Sequence, residues 1–169
     1  MANLKFQDLQ LTSKGIFPKN GDKLPAFRLT NQDLSQITNQ DFKDKNIILN
    51  IFPSIDTPTC SSSVRKFNEL ASTLNDTVIL CVSADLPFAQ KRFCAAEGIE
   101  NVYTASTFQN TDFAENFGVA INELPFKGLL ARAVIVANKD GVILHAELVT
   151  NIPSEPNYEL ALASLTACA

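Results

Sequence analysis

The chain has 169 residues, of which 46% are apolar and 19% charged, with only six glycines. That is enough for one domain with a full core, expected to span 1–169, and it excludes a disordered or fibrous protein. The net charge of −4 leaves no footprint for nucleic acid or an anionic membrane, and no stretch has the length of a membrane span.

In chain order, Met1 to Asp8 carry neither a basic n-region nor an apolar h-region, so a cytoplasmic, reducing location is expected. Leu4 to Phe17 contain short alternating apolar runs broken by Ser13-Lys14-Gly15 and read as a hairpin. Asn20-Gly21-Asp22 marks a turn, and Pro25 to Thr30 an extended piece. Asn46 to Phe52 is a near-continuous apolar strand of the kind covered on both faces, and a capped amphipathic helix follows from Pro58 to Leu74. A second buried strand is expected over Thr77 to Ser83, a helix over Pro87 to Glu97 ended by Gly98, a short strand over Val102 to Ala105 and a short helix over Thr111 to Phe117. Ala131 to Ala137 and Val142 to Val149 flank Asn138-Lys139-Asp140-Gly141, a strong hairpin signal. The last helix is expected over Glu155 to Ala167. This order gives an α/β thioredoxin-like fold: a mixed central sheet, helices on both faces and an added N-terminal β-hairpin. Reactive groups in such a sheet lie near the C-terminal ends of the parallel strands.

Cys60 follows such an end. It stands in Pro53-Ser54-Ile55-Asp56-Thr57-Pro58-Thr59-Cys60, in the first turn of the helix, where free backbone N–H groups and the helix dipole favour a thiolate. Thr57 is a good N-cap and Pro58 the preferred first helical residue. Val64, Phe67, Ala71 and Leu74 form the buried stripe, and Cys60 lies one turn before Val64, so a partly buried thiol is expected. The alternative is a small hydrophobe filling a gap. The other cysteines are Cys81, mid-strand and read as inert core; Cys94, in the next helix; and Cys168, beside the terminus and without a role. No C-x-x-C pair occurs and His145 is the only histidine, so no zinc site is expected. Arg132 opens an apolar strand, where a charge must either snorkel to an edge or find an anion. Ser61, Ser62 and Ser63 read as exposed helix positions.

Pro53-x-x-x-Thr57-x-x-Cys60 matches the active-site motif of the peroxiredoxins. Asn50-Ile51-Phe52-Pro53-Ser54-Ile55-Asp56-Thr57, Ser63-Val64-Arg65-Lys66-Phe67-Asn68, Ser83 to Gln90 with Arg92-Phe93-Cys94, and Gly128-Leu129-Leu130-Ala131-Arg132-Ala133 resemble the bacterial thiol peroxidases, atypical two-cysteine members of that family. The resemblance covers nearly the whole chain. It implies that Cys60 is the peroxidatic and Cys94 the resolving cysteine, joined transiently in a Cys60–Cys94 disulfide. It further implies Thr57 as a hydroxyl partner, Arg132 as the guanidinium that binds thiolate and peroxide, and Pro53 as a shield of the pocket. Hydrogen peroxide and organic hydroperoxides would be the substrates, with Ile55, Leu86 and Phe88 near an alkyl chain. Thioredoxin would be the reductant and a homodimer the assembly, with no cofactor or metal required. Thr59 stands where an apolar residue such as valine is common, with little effect expected. Two rivals remain open: a peroxide sensor that no reductant recycles, and a one-cysteine peroxidase in which Cys94 only packs.

Overall fold

The chain opens with a hairpin, β1 (Ala2–Phe6) and β2 (Leu9–Lys14), in the computed structural model, which describes residues 1–166. Leu4 and Leu11 pair across it and point inward, as their alternation requires. The extended piece before Thr30 ends in β3 (Arg28–Thr30), which pairs with β4 (Gln36–Thr38). β4 was not expected, because three residues with a single inward isoleucine are too short for alternation to register. A one-turn 3-10 helix over Asn39–Phe42, held by a Thr38–Asp41 capping box, then inserts Phe42 into the core.

The expected alternation follows: β5 (Asn46–Ile51), α1 (Pro58–Ala71), β6 (Thr77–Ser83), α2 (Pro87–Glu97), β7 (Tyr103–Ser106) and α3 (Asp112–Asn116). After these come the two-residue β8 (Ala120–Ile121), the hairpin β9 (Ala133–Ala137) and β10 (Ile143–Leu148), and α4 (Tyr158–Thr166). Two helix ends differ from the periodicity for local reasons. α1 stops at Ala71 and not Leu74, because the Ser72 and Thr73 hydroxyls donate to the Glu69 and Leu70 carbonyls and compete with further helix. α4 begins at Tyr158 and not Glu155, because Pro156 has no N–H and the Asn157 side chain caps the helix by accepting from Leu160 N–H at 3.0 Å. Its expected end at Ala167, and Cys168, lie outside the described residues.

Seven strands form one sheet in the order β10-β9-β5-β6-β7-β3-β4. β5, β6 and β7 are parallel, and both flanks are antiparallel. The hairpin β1–β2 pairs with β8 in a separate three-stranded sheet. Alternation along β5 divides the core. Ile47, Leu49 and Ile51 face the side covered by α3 and the hairpin, whereas Ile48 and Phe52 face α1, α2 and α4. Val64 and Phe67 of α1 are fully buried on the second side. Together they contribute roughly 3–6 kcal/mol of apolar burial, enough to fix the rotation of α1 about its axis and with it the direction of Cys60.

β9 starts two residues later than expected. Ala131 N–H donates to Val119 O at 2.8 Å and Leu130 bridges Ala120, so the strand's first residues are drawn toward β8. Arg132 therefore sits at the joint between the two sheets, where its carbonyl accepts from Val149 N–H at 2.9 Å. The hairpin end is held close to α3 at Gly118, whose φ is +66° and whose missing Cβ would lie 2.3 Å from Phe17 N. Gly118→Ala should thus destabilise the protein by about 2–4 kcal/mol. Gly141→Ala, at φ +72° with nothing nearby, should cost about 1 kcal/mol. Urea unfolding of the two variants measures this, and equal losses would contradict the close approach.

Candidate active site

The loop between β5 and α1 is built by backbone contacts and one carboxylate. Phe52 N–H donates to Val82 O at 3.1 Å, which prolongs the β5–β6 pairing to the edge of the loop. Pro53 is buried beneath it. Ser54 O accepts from both Thr57 N–H at 3.1 Å and the Thr57 hydroxyl at 3.0 Å, closing a turn. Thr57 occupies the N-cap with extended backbone and Pro58 follows as expected. Its hydroxyl does not cap the helix, however, because the Ser54 carbonyl already engages it, and the side chain is exposed.

Cys60 is fully buried, not partly as expected, because α1 turns it into the cluster of Ile48, Phe52, Ile55 and Val64. Its Sγ accepts a hydrogen bond from Arg132 Nη2 at 3.3 Å. Arg132 is buried as well, so it has found an acceptor and has not snorkelled. Its Nε donates to Ile152 O at 3.2 Å, while Nη1 is buried with no hydrogen-bond partner among the described residues. A buried guanidinium N–H without an acceptor is costly, and the group that would satisfy it is an oxygen or an anion. Arg132 thus gives one N–H group to the thiol and keeps another, on Nη1, unpaired. Thr59 adds an anchor: its hydroxyl donates to Pro153 O at 3.1 Å, tying the first turn of α1 to the segment that supplies Ile152 O.

The serines that follow are not all exposed. Ser62 is, but Ser61 and Ser63 are buried. Ser63 accepts from Asn50 Nδ2 at 3.2 Å and donates to Cys60 O at 2.8 Å, so a polar pair pins the helix to β5 directly under the cysteine. The apolar pattern of β5 concealed this partner. Cys94 lies on the buried face of α2, with Thr104 Oγ1 3.8 Å from its sulfur, and burial pushes its thiol up. Cys60, Cys81 and Cys94 are all unbonded thiols in the same core cluster.

Three comparisons bear on this arrangement. The Redoxin family model matches residues 19–162. A thiol peroxidase of Vibrio cholerae is 53% identical over 160 residues, covering 95% of this chain and 98% of the relative. One from Corynebacterium glutamicum is 48% identical over 165 residues, covering 98% and 99%. The chain belongs to the thiol peroxidase family of the peroxiredoxins. Thiol-dependent peroxide reduction is the activity its site has to support. The crystal structure of a peroxiredoxin-like protein from Aquifex aeolicus superposes with a TM-score of 0.92 at 36% identity, over 99% of this chain and 97% of that one. The thiol peroxidase of Chromobacterium violaceum, at 22% identity and a TM-score of 0.91 over 98% and 96%, shares the fold.

The three alkyl-pocket candidates divide. Ile55 is buried beside Cys60, whereas Leu86 and Phe88, at the start of α2, are 50% and 63% exposed. Asp85, which drew no attention in the sequence, binds the loop before Cys60 through Ser54 Oγ at 2.8 Å and Ile55 N–H at 2.7 Å. Its sequence signals were its place in the Ser83 to Gln90 match and a lone acid just past an apolar strand. Cys81 is buried mid-strand as expected, and burial pushes its thiol up to about 12, against one opposing hydrogen bond from Asn50. Unfolding frees that thiol to ionise near 9, so its contribution to stability is complete below pH 9 and is lost as pH rises toward 12. In reductant, the urea midpoint should therefore fall progressively above pH 9, and alkylation at pH 8 should leave Cys81 unmodified until the chain unfolds. Rapid native labelling of Cys81 would contradict its burial.

Proposed function

We propose that this chain reduces hydrogen peroxide and organic hydroperoxides through a two-cysteine cycle. The observation that carries the reading is the buried Arg132 guanidinium, 3.3 Å from Cys60 Sγ on one side and unpartnered on the other. The Cys60 thiolate attacks the terminal oxygen of the hydroperoxide in line with the O–O bond. The S–O bond forms as the O–O bond breaks, and the electron pair of that bond leaves on the distal oxygen, which takes a proton to become water or an alcohol. Arg132 Nη1 and the free N–H groups of the first turn of α1 stabilise this developing oxyanion. Thr57 joins them once its hydroxyl turns from Ser54 O into the pocket, and buried Pro53 and Ile55 keep bulk water away.

The Cys60 sulfenic acid then condenses with the Cys94 thiol, releasing water and forming a Cys60–Cys94 disulfide. A dithiol protein of the thioredoxin kind reduces that disulfide by exchange and carries away the oxidised pair. A reducing, cytoplasmic setting would return Cys60 and Cys94 to thiols between turnovers. Among the described residues no helix is long and apolar enough to cross a membrane. The exposed Leu86 and Phe88, next to the active-site loop, support a homodimer packed on that side.

Cys60→Ser should abolish NADPH consumption in a coupled assay with thioredoxin, its reductase and peroxide, and retained turnover would remove Cys60 as nucleophile. Arg132→Ala should slow sulfenic acid formation roughly a hundredfold or more, the usual size of a lost oxyanion donor. An unchanged rate would remove Arg132 from the chemistry. Cys94→Ser should stop thioredoxin-dependent turnover after one equivalent of sulfenic acid, and continued turnover would favour a one-cysteine cycle.

A further inference from the structure

Asp85 joins the two cysteine-bearing segments. On one side its Oδ1 accepts from Ser54 Oγ at 2.8 Å and its Oδ2 from Ile55 N–H at 2.7 Å, in the loop that leads into Cys60. On the other side the chain runs from Asp85 directly into α2, which carries Cys94. The Ser83 hydroxyl donates to Asp85 Oδ2 at 2.7 Å and accepts from Gln90 Nε2 at 3.1 Å. Gln90 is fully buried on the face of α2 one turn before Cys94, and its amide also donates to Ala105 O at 3.1 Å. The Asp85 carbonyl is held in turn by the Ser106 hydroxyl at 2.5 Å. A continuous polar path, Gln90 to Ser83 to Asp85 to Ser54 and Ile55, therefore runs from the helix of one thiol to the loop of the other.

We propose that Asp85 is a positioning residue that latches the Cys60 loop to the folded state of α2. This rests on the two-cysteine cycle proposed above. With the latch made, Ile55 and the turn at Ser54 are fixed, and Cys60 is held against Arg132. Cys60 and Cys94 lie in regular helices, each with its own partner, Arg132 for one thiol and Thr104 for the other. On the two-cysteine reading each sulfur exchanges that neighbour for the other sulfur when the disulfide forms. The latch therefore acts with opposite sign on the two half-reactions. It favours peroxide reduction, which needs the Cys60–Arg132 geometry, and it resists disulfide formation, which needs the loop or the helix to move.

Single-turnover kinetics of Asp85→Ala test this. In a Cys94→Ser background, dimedone trapping of the Cys60 sulfenic acid after hydrogen peroxide should slow roughly ten- to a hundredfold, the penalty of a small misplacement at a reacting centre. With Cys94 present, the following disulfide step, read by quenched alkylation and peptide mapping, should be faster than in the wild type. A residue that merely supports the fold would slow both steps. Parallel slowing, or a disulfide step no faster than wild type, overturns the latch. Asp85→Asn, which keeps one acceptor oxygen, should recover part of the first step and lose part of the gain in the second. If Asp85→Ala does not fold, Ser54→Ala removes one latch bond and should give the same two signs at smaller size. Wild-type protein run alongside separates this reading from the function. No Cys60 sulfenic acid or no Cys60–Cys94 link in the wild type overturns the two-cysteine cycle and the latch with it, whereas both present with parallel slowing in the variant overturns the latch alone.

Discussion

The buried guanidinium of Arg132 constrains everything around it. Moving such a charge out of water costs several kcal/mol unless its hydrogen bonds are replaced. The protein replaces only part of them: Ile152 O takes Nε, Cys60 Sγ takes Nη2, and Nη1 is left without a protein acceptor. Apolar burial from two packed core clusters offsets the remaining cost and keeps Arg132 in place. A long, flexible side chain would otherwise swing outward to water. Its root at the joint between the two sheets, braced by Ala131 N–H on Val119 O and Val149 N–H on the Arg132 carbonyl, leaves the backbone no room to follow.

The second half of the site comes from the other end of the same sheet logic. Parallel pairing of β5 with β6 ends at Ile51 and Val82, and Phe52 N–H extends it by one bond before the chain turns into α1. The turn is held by hydrogen bonds to Ser54 O and to the Asp85 carboxylate, while Asn50 and Ser63 pin the helix from below. The thiol is therefore directed by the helix rotation that Val64 and Phe67 set, and polar contacts of the turn and of Ser63 hold that helix start in place.

Much of this was legible in the chain. Long, continuous apolar runs announced β5 and β6, the Asn138 to Gly141 turn announced the β9–β10 hairpin, and the Thr57-Pro58 start announced α1. β4, the 3-10 turn and β8 were not legible, because elements of two to four residues owe their existence to the neighbours they pair with and not to their own pattern. The site divides the same way. Cys60 and Arg132 stood out as residues that contradict their local pattern, a thiol at a helix start and a charge in an apolar strand. Asp85, Asn50 and Ser63 act across 13 to 31 positions of sequence, through contacts that only the folded sheet creates. The Thr57 hydroxyl failed as a cap for a related reason: a turn carbonyl three residues back competes for it, and no propensity for the N-cap position reports that competitor.

Three thiols share one core cluster, yet their surroundings differ in one decisive respect. Burial penalises ionisation of Cys81 and Cys94. Cys81 meets this penalty with a single amide donor from Asn50 and is driven far up, and Cys94 has a hydroxyl neighbour, Thr104, and is also driven up. Neutral dipoles are too weak to offset the transfer of a full charge from water. Only Cys60 faces a full positive charge at hydrogen-bond distance, and it alone sits among the free N–H groups of a helix start. Exposure does not sort the three, since all are buried. What separates Cys60 from Cys81 and Cys94 is the placement of one guanidinium, and the joint between the two sheets is what holds that guanidinium there.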